Sequence, residues 1–338
     1  MMSANDETRA LRERILAVFN KWDGDALKKQ KKAIQFTTIS SLLIPIAVLL
    51  MTIQVLAFRS AGIIAVVLIS LELGALLFSL LILVCRLAPR AGEWAHERLR
   101  AEVLRREGFL LLARVGPYLE RTSPAELELT MAQRLAQIDN CINPPDTYLP
   151  LRKEKPWRDE LEDAGLGKTA PPQPGCLEDF LKDRVLDQRD WFWAKRGKSN
   201  RLNWRFENII RGTLVMAIVI ASMHLISLIF GTYETGGGRP LLRLVIEIAA
   251  ITLPPIGSAA AALQAVFQGR RLGRSYKLHS LDLDVLHHEL LALGAAKTET
   301  TISQENYEFQ LKRLVLRTEE LLANELRVWY FIMRPGLS

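Results

Sequence analysis

The chain has 338 residues and a mass of 38.2 kDa, and its 49% hydrophobic content and mean hydropathy of +0.10 are high for a chain that is also 24% charged. Net charge is +7 and the pI is near 9.4. The apolar excess is confined to four blocks, which excludes an ordinary soluble enzyme: residues 33–58 and 212–233 hold no Asp, Glu, Lys or Arg, 60–85 holds only Glu72 and 244–269 only Glu247.

In chain order, residues 5–32 place Leu11, Ile15, Val18, Phe19 and Trp22 at the 3/4 spacing of an amphipathic helix that leads straight into the first block. Each block exceeds the roughly 20 apolar residues that a helix needs to cross a bilayer, and two of them lack any polar face at the helical period. The first block begins too late and runs too long for a cleavable signal peptide. Spans are therefore expected at 36–57, 62–85, 212–233 and 244–268. The expected fold is an all-α membrane protein, with four transmembrane helices as two hairpins, each flanked by long cytosolic helices.

After the second span, residues 94–118 read as a helix, and Ser123-Pro124-Ala125-Glu126 is a capping box with proline at the first helical position. Between 143 and 175 the texture changes. Seven of the fifteen prolines lie between Pro144 and Pro174, which predicts an irregular cytosolic linker, not a helix. A second lead-in helix then carries Phe180, Val185, Leu186, Trp191 and Phe192, and helices at 269–293 and 300–334 follow the fourth span. Laying the second half of the chain over the first with Trp204 on Trp22 also places Asp284-Val285-Leu286-His287-His288-Glu289 on Glu102-Val103-Leu104-Arg105-Arg106-Glu107, and the apolar blocks coincide as well. The expected organisation is thus a module at 1–142, a proline-rich linker at 143–176 and a homologous module at 177–338.

Lys28, Lys29, Lys31 and Lys32 precede the first span, Arg86 and Arg90 follow the second, Arg211 precedes the third, and Arg270 and Arg271 follow the fourth. By the positive-inside rule both hairpins enter from the cytoplasm and return to it, so both termini are cytoplasmic. These cations read as inner-leaflet anchors, each contributing on the order of 1 kcal/mol. Because they cluster at membrane edges without interleaved aromatics, a nucleic-acid polymer is not expected as a partner. Cys85, Cys141 and Cys176 are isolated thiols without a framework spacing, and the adjacent His287, His288 and Glu289 lack any metal-ligand spacing, so no metal and no cofactor are expected.

Within the spans, Glu72 is the first candidate, since a carboxylate near the middle of a span normally faces protein or water. A structural alternative is a hydrogen bond across the hairpin to Gln35, Thr52 or Gln54. Glu247 lies nearer the outer end of its span. Pro254 and Pro255, followed by Gly257, Ser258 and four alanines, make a kinked, small-faced helix that suits either a pore lining or a packing seam. Trp191, Trp193 and Trp204 beside Lys195, Arg196 and Lys198 read as interfacial anchors, with base stacking as the alternative. No phosphate-binding loop, nucleophile elbow or zinc spacing occurs, so no enzymatic activity is expected.

The lead-in from Phe180 through Arg184 to Phe192, the two-span hairpin with a basic exit, and the terminal Thr318-Glu319-Glu320-Leu321-Leu322 with Glu325 and Trp329 resemble the SLATT family. These are two-transmembrane domains found beside nucleotide second-messenger synthases and sensor domains in bacterial conflict systems. The first module, through Ala101-Glu102-Val103-Leu104-Arg105-Arg106-Glu107-Gly108-Phe109, is similar to another SLATT subtype. The resemblance implies a homo-oligomeric effector of the bacterial inner membrane that forms a pore or disrupts the bilayer in antiviral defence, its partners being membrane lipids and a cyclic nucleotide or sensor-protein trigger. No separate sensor domain fits in the chain. A constitutive small-ion channel or transporter, and a membrane-anchored scaffold for a cytosolic partner, are the alternatives.

Overall fold

A computed structural model describes residues 4–57, 62–82, 93–120, 123–140, 157–165, 169–229 and 240–333. Among them every regular element is helical. The helices are α1 Ala4–Ala57, α2 Gly62–Ile82, α3 Glu93–Ala113, α4 Pro124–Asn140, α5 Trp157–Ala164, α6 Cys176–Phe180, α7 Asp187–Ile229, α8 Pro240–Phe267, α9 Gly269–Thr298 and α10 Gln304–Met333. A π-helical turn, Leu181–Leu186, joins α6 to α7. Three helical stretches, Thr8–Ile53, Cys176–Met223 and Val245–Thr298, are long and apolar enough to cross a membrane, and Val66–Ser79 is a shorter apolar helix. The expectation of an all-helical, membrane-type chain is met at that level.

The expected lead-in and expected first span form a single helix of 54 residues, α1, which passes through Pro45 without a break. Pro45 lacks an amide hydrogen, yet neighbouring turns of a long apolar helix absorb the freed carbonyl. The helix at 94–118 stops earlier than expected. Arg114 takes φ 53° and Gly116 φ 60°, left-handed conformations that end a helix, and a 3-10 turn at Gly116–Tyr118 follows. Gly116 is required there, because a Cβ would also press on the Trp157 ring at 3.0 Å. The capping box forms as read: the Glu126 amide donates to Ser123 Oγ at 3.3 Å and the Ser123 amide to Glu126 Oε2 at 3.4 Å.

The proline-rich stretch differs from the expectation of an irregular linker, because it contains α5. Trp157, Leu161 and Ala164 share one face that packs on the core. The apolar face supplies what the local composition hides.

Contacts divide the chain into two compact units, each drawn from both halves of the sequence: Met1–Gln30, Gly92–Gly197 and Leu272–Ser338 in one, Lys31–Ala91 and Lys198–Arg271 in the other. The first unit has a dense core around α3, in which Leu99, Val103, Leu104, Phe109, Leu110 and Leu111 are all buried. Phe180, Val185 and Phe192 reach it from the lead-in of the second half, as their spacing predicts. Along the helices of the second unit much of the described surface is apolar. Ile63, Val66 and Leu71 on α2, Leu214, Val215 and Ile218 on α7, and Val245 and Ile251 on α8 are exposed, an arrangement that water disfavours and lipid does not.

Candidate functional site

Charged residues that look like solvated helix positions in the sequence converge in the interior of the first unit. Arg184 lies on the π-helical turn, where the widened turn accommodates an extra residue and re-aims its side chain. Its Nε and Nη2 donate to Oε1 and Oε2 of Glu319 on α10 at 2.8 and 2.6 Å. Its Nη1 stands 3.5 Å from Glu102 on α3. One turn before Glu102, Arg98 pairs with it at 2.7 Å and also donates to Asp23 on α1. Five charges of alternating sign, Asp23, Arg98, Glu102, Arg184 and Glu319, thereby tie α1, α3, the π-helical turn and α10 together.

The field inside this chain of charges is strong. Burial pushes the Glu102 carboxyl up, but Arg98, Arg105 and Arg184 together outweigh it and hold the group below the usual carboxylate range. Burial likewise opposes the charge on Arg184, and Glu319 with Glu102 reverses that opposition. Glu325, farther along α10, is on the losing side: burial first and then the Glu102 charge push it up to about 8, against the pull of Arg98. A neighbouring cluster holds Glu107, which accepts hydrogen bonds from Arg134 Nη2 at 2.7 Å and from the Tyr118 hydroxyl at 3.0 Å. Burial and the Glu107 charge raise the Tyr118 phenol far above its ordinary value.

Lys312 on α10 reaches the proline-rich strap, donating to Thr169 Oγ1 at 2.6 Å and to the Ala170 carbonyl. Burial lowers its ammonium to about 8. Cys176 is buried nearby, its thiol pushed up to about 12 by burial and by Asp179. Among the described residues no three His, Cys, Asp or Glu side chains gather as a metal-holding group. The ion chain links these helices electrostatically: moving any one of them away would leave an uncompensated charge in a low-dielectric interior, at a cost of several kcal/mol.

In the second unit, α1 and α2 meet at Ser40 and Ser79, whose hydroxyls lie 2.9 Å apart and are both buried. Helices α7 and α8 meet through Asn203 and Gln264, 2.9 Å apart, and at Gly257, where a Cβ would stand 2.7 Å from Thr213 Oγ1. Thr252 and Ala260 are buried on the same helix. Glu72 is half-buried on α2, and Thr52 turns back to the Val48 carbonyl at 2.7 Å. Glu247 is half-buried, Pro254 and Ser258 are exposed, Pro255 is half-buried, and α8 runs unbroken through both prolines.

The remaining expected residues disperse. Trp191 packs in the core of the first unit, edge-on to Tyr276 at 5.5 Å, whereas Trp193 and Trp204 are exposed, Trp193 beneath Arg196 at 4.8 Å. Lys28, Lys31, Lys32, Arg211, Arg270 and Arg271 are exposed, and Lys29 pairs with Glu97. Arg270 also pairs with Glu207 at 2.6 Å. Arg86 and Arg90 lie outside the described residues. Arg184, Glu319, Ser40 and Ser79 were not singled out by the sequence, although Arg184 and Glu319 sit in the two segments that carry the family resemblance.

No protein-family model matches this chain, and no curated protein or solved structure matches it either.

Proposed function

We propose that the chain is a non-enzymatic effector of the bacterial inner membrane, in which α1–α2 and α7–α8 form two transmembrane hairpins and the first unit lies in the cytoplasm. A nucleotide signal or a partner protein acting on that unit drives a homo-oligomer to open a pore or perforate the bilayer. The observation that carries the membrane half is the outward-facing apolar side chains of α1, α2, α7 and α8, a surface suited to lipid. α2, with 21 residues, is about 31 Å long, enough for a fourth span. Ser40 lies as far before Ala57, the end of α1, as its partner Ser79 lies after Gly62, the start of α2, the register of an antiparallel pair. Gly257 and its neighbour Thr213 lie almost equally far from the facing ends of α8 and α7, Pro240 and Ile229, which supports a second hairpin.

The effector half rests on the SLATT resemblance and on the ion chain through Arg184, which gives the cytosolic helices a concerted response to an input at any one of them. The test is leakage of ions and dye from liposomes holding the purified protein, with and without a panel of cyclic nucleotides. Leakage only with a nucleotide is the expected result, and a change of ion selectivity in Glu72→Gln would put that carboxylate at the conduction path. Leakage without any trigger would replace the reading with a constitutive channel. Silence under every condition would replace it with a scaffold.

A further inference from the structure

Helix α9 is apolar on two opposite sides. Tyr276, Leu283, Leu286 and Leu290 are buried in the core, whereas Leu278, Leu281 and Val285 on the far side are 57%, 46% and 52% exposed. Exposed His288, Ala292 and Ala295 continue that line. The steps alternate between three and four residues, which are the a and d positions of a heptad seam. The overlay that aligns the two repeats sets Leu281 on Leu99 and Val285 on Val103, and in α3 those two are 0% and 1% exposed. A face that the chain covers in its first repeat is uncovered in its second.

We propose that a second copy of this chain covers it, α9 against α9 in a parallel, in-register pair. The proposal rests on the membrane reading above and gives its oligomer a contact. Charge decides the partner and the direction. Lys277 and Asp284 occupy g positions beside the seam, Asp282 and Glu289 e positions. Arg189 already answers Asp284 at 3.3 Å and Arg317 answers Glu289 at 2.7 Å, while Lys277 and Asp282 are exposed. A parallel pair brings each g residue to the e residue five positions on in the other copy, which sets Lys277 against Asp282 twice and Asp284 against Glu289 twice, the latter two carboxylates each already neutralised within its own chain by Arg189 and Arg317. An antiparallel pair sets e against e and g against g, which parts Lys277 from Asp282. A lipid surface fits less well, because anionic headgroups would answer Lys277 but repel the exposed Asp282 beside the stripe. The polar His288 at a d layer fixes the register.

Light scattering of the full-length protein in nanodiscs reads copies per particle. Leu281→Glu with Val285→Glu is expected to reduce the particle to one copy with unchanged far-UV helicity, since neither side chain supports the fold of the single chain. Lys277→Glu is expected to weaken association several-fold, and adding Asp282→Lys to restore it. A wild-type protein that is itself a single copy, or an unchanged copy number in the double Glu variant, overturns the proposal. Loss that Asp282→Lys does not restore overturns the parallel register. An unchanged copy number with a melting temperature that falls only in anionic nanodiscs assigns the face to lipid, which also overturns it. Failure of the wild type to float with liposomes would instead sink the membrane reading.

Discussion

Arg184 donates two hydrogen bonds to Glu319, at 2.8 and 2.6 Å, across a sequence separation of 135 residues and with both side chains buried. Planar, two-point pairing of this kind is the strongest form of charge-assisted hydrogen bond. Its net contribution to stability is still small, because two ions had to leave water. Removing one partner is another matter. Arg184→Met or Glu319→Leu alone is expected to cost about 3–5 kcal/mol by stranding the opposite charge, and the double variant to recover most of that loss. Thermal melts of the detergent-solubilised protein check this, and additive losses in the double variant would show that the pair does not act as a unit. If the ion chain also relays the proposed trigger from the first unit to the proposed spans, the double variant is stable yet unresponsive to a trigger in the liposome assay.

The buried Glu325 carboxyl gives the fold a pH dependence of definite sign. Burial and Glu102 raise it from 4.5 to about 8 in the folded chain, with Arg98 opposing. Its stabilising contribution is therefore complete below the unfolded value and is lost as pH rises through the folded one, at up to about 1.4 kcal/mol per pH unit. Lys312, lowered from 10.5 to about 8, adds slope only as pH nears 8, whereas His279 and His287, whose imidazoles burial holds below their ordinary value, slope the other way in the window and are common to the wild type and Glu325→Gln. Between pH 5 and 8 the stability of the wild type relative to Glu325→Gln is expected to fall steadily as pH rises. Parallel pH profiles for the two proteins would remove Glu325 as the source.

Much of the secondary structure was legible in the sequence because it depends on local signals. Four blocks without charge announce apolar helices, Ser123 and Glu126 announce a helix start, and Phe180, Val185 and Phe192 lie on the core face that their spacing implies. The polar interior was not legible. In a segment such as Glu102-Val103-Leu104-Arg105-Arg106-Glu107 every charge looks solvated, and only the packing of distant helices selects Glu102, Arg106 and Glu107 for burial. Helix α5 was hidden for a similar reason: Trp157 is held by the Arg106 guanidinium, 4.6 Å from its ring centre, and by Gly116, neither of which is near it in sequence. The serine pair was missed because Ser40 and Ser79 are ordinary members of apolar helices until α1 and α2 come together.

Burial of Cys176 changes how membrane sidedness is tested. Its thiol is pushed up to about 12 by burial and Asp179, so little thiolate forms near neutral pH. In the folded protein Cys176 is expected to resist maleimides on either side of the membrane, and to react once the protein is denatured. Silence at this residue thus reports packing, not location. Glu299→Cys, at an exposed position after α9, is the better reporter: labelling by an impermeant reagent only after the spheroplasts are permeabilised is expected, and labelling in intact spheroplasts would invert the topology.

Helices α7 and α8 approach tightly at Gly257, where an added Cβ would sit 2.7 Å from Thr213 Oγ1 and 3.6 Å from Thr213 Cβ. The hydroxyl is held in place by the Ile209 and Ile210 carbonyls at 2.9 and 3.0 Å, so it resists moving aside. Gly257→Ala is therefore expected to destabilise the helix pair by about 1–3 kcal/mol, the usual cost of overpacking. Thr213→Ala alone removes only a hydroxyl that bonds within its own helix and is expected to be close to neutral. Combined, the two substitutions leave an ordinary 3.6 Å carbon contact, and the double variant should melt near the wild type. If Gly257→Ala is harmless by itself, the helices do not approach at this residue, and a pore lining that exposes Gly257 to water becomes the better account of the small residues after Pro255.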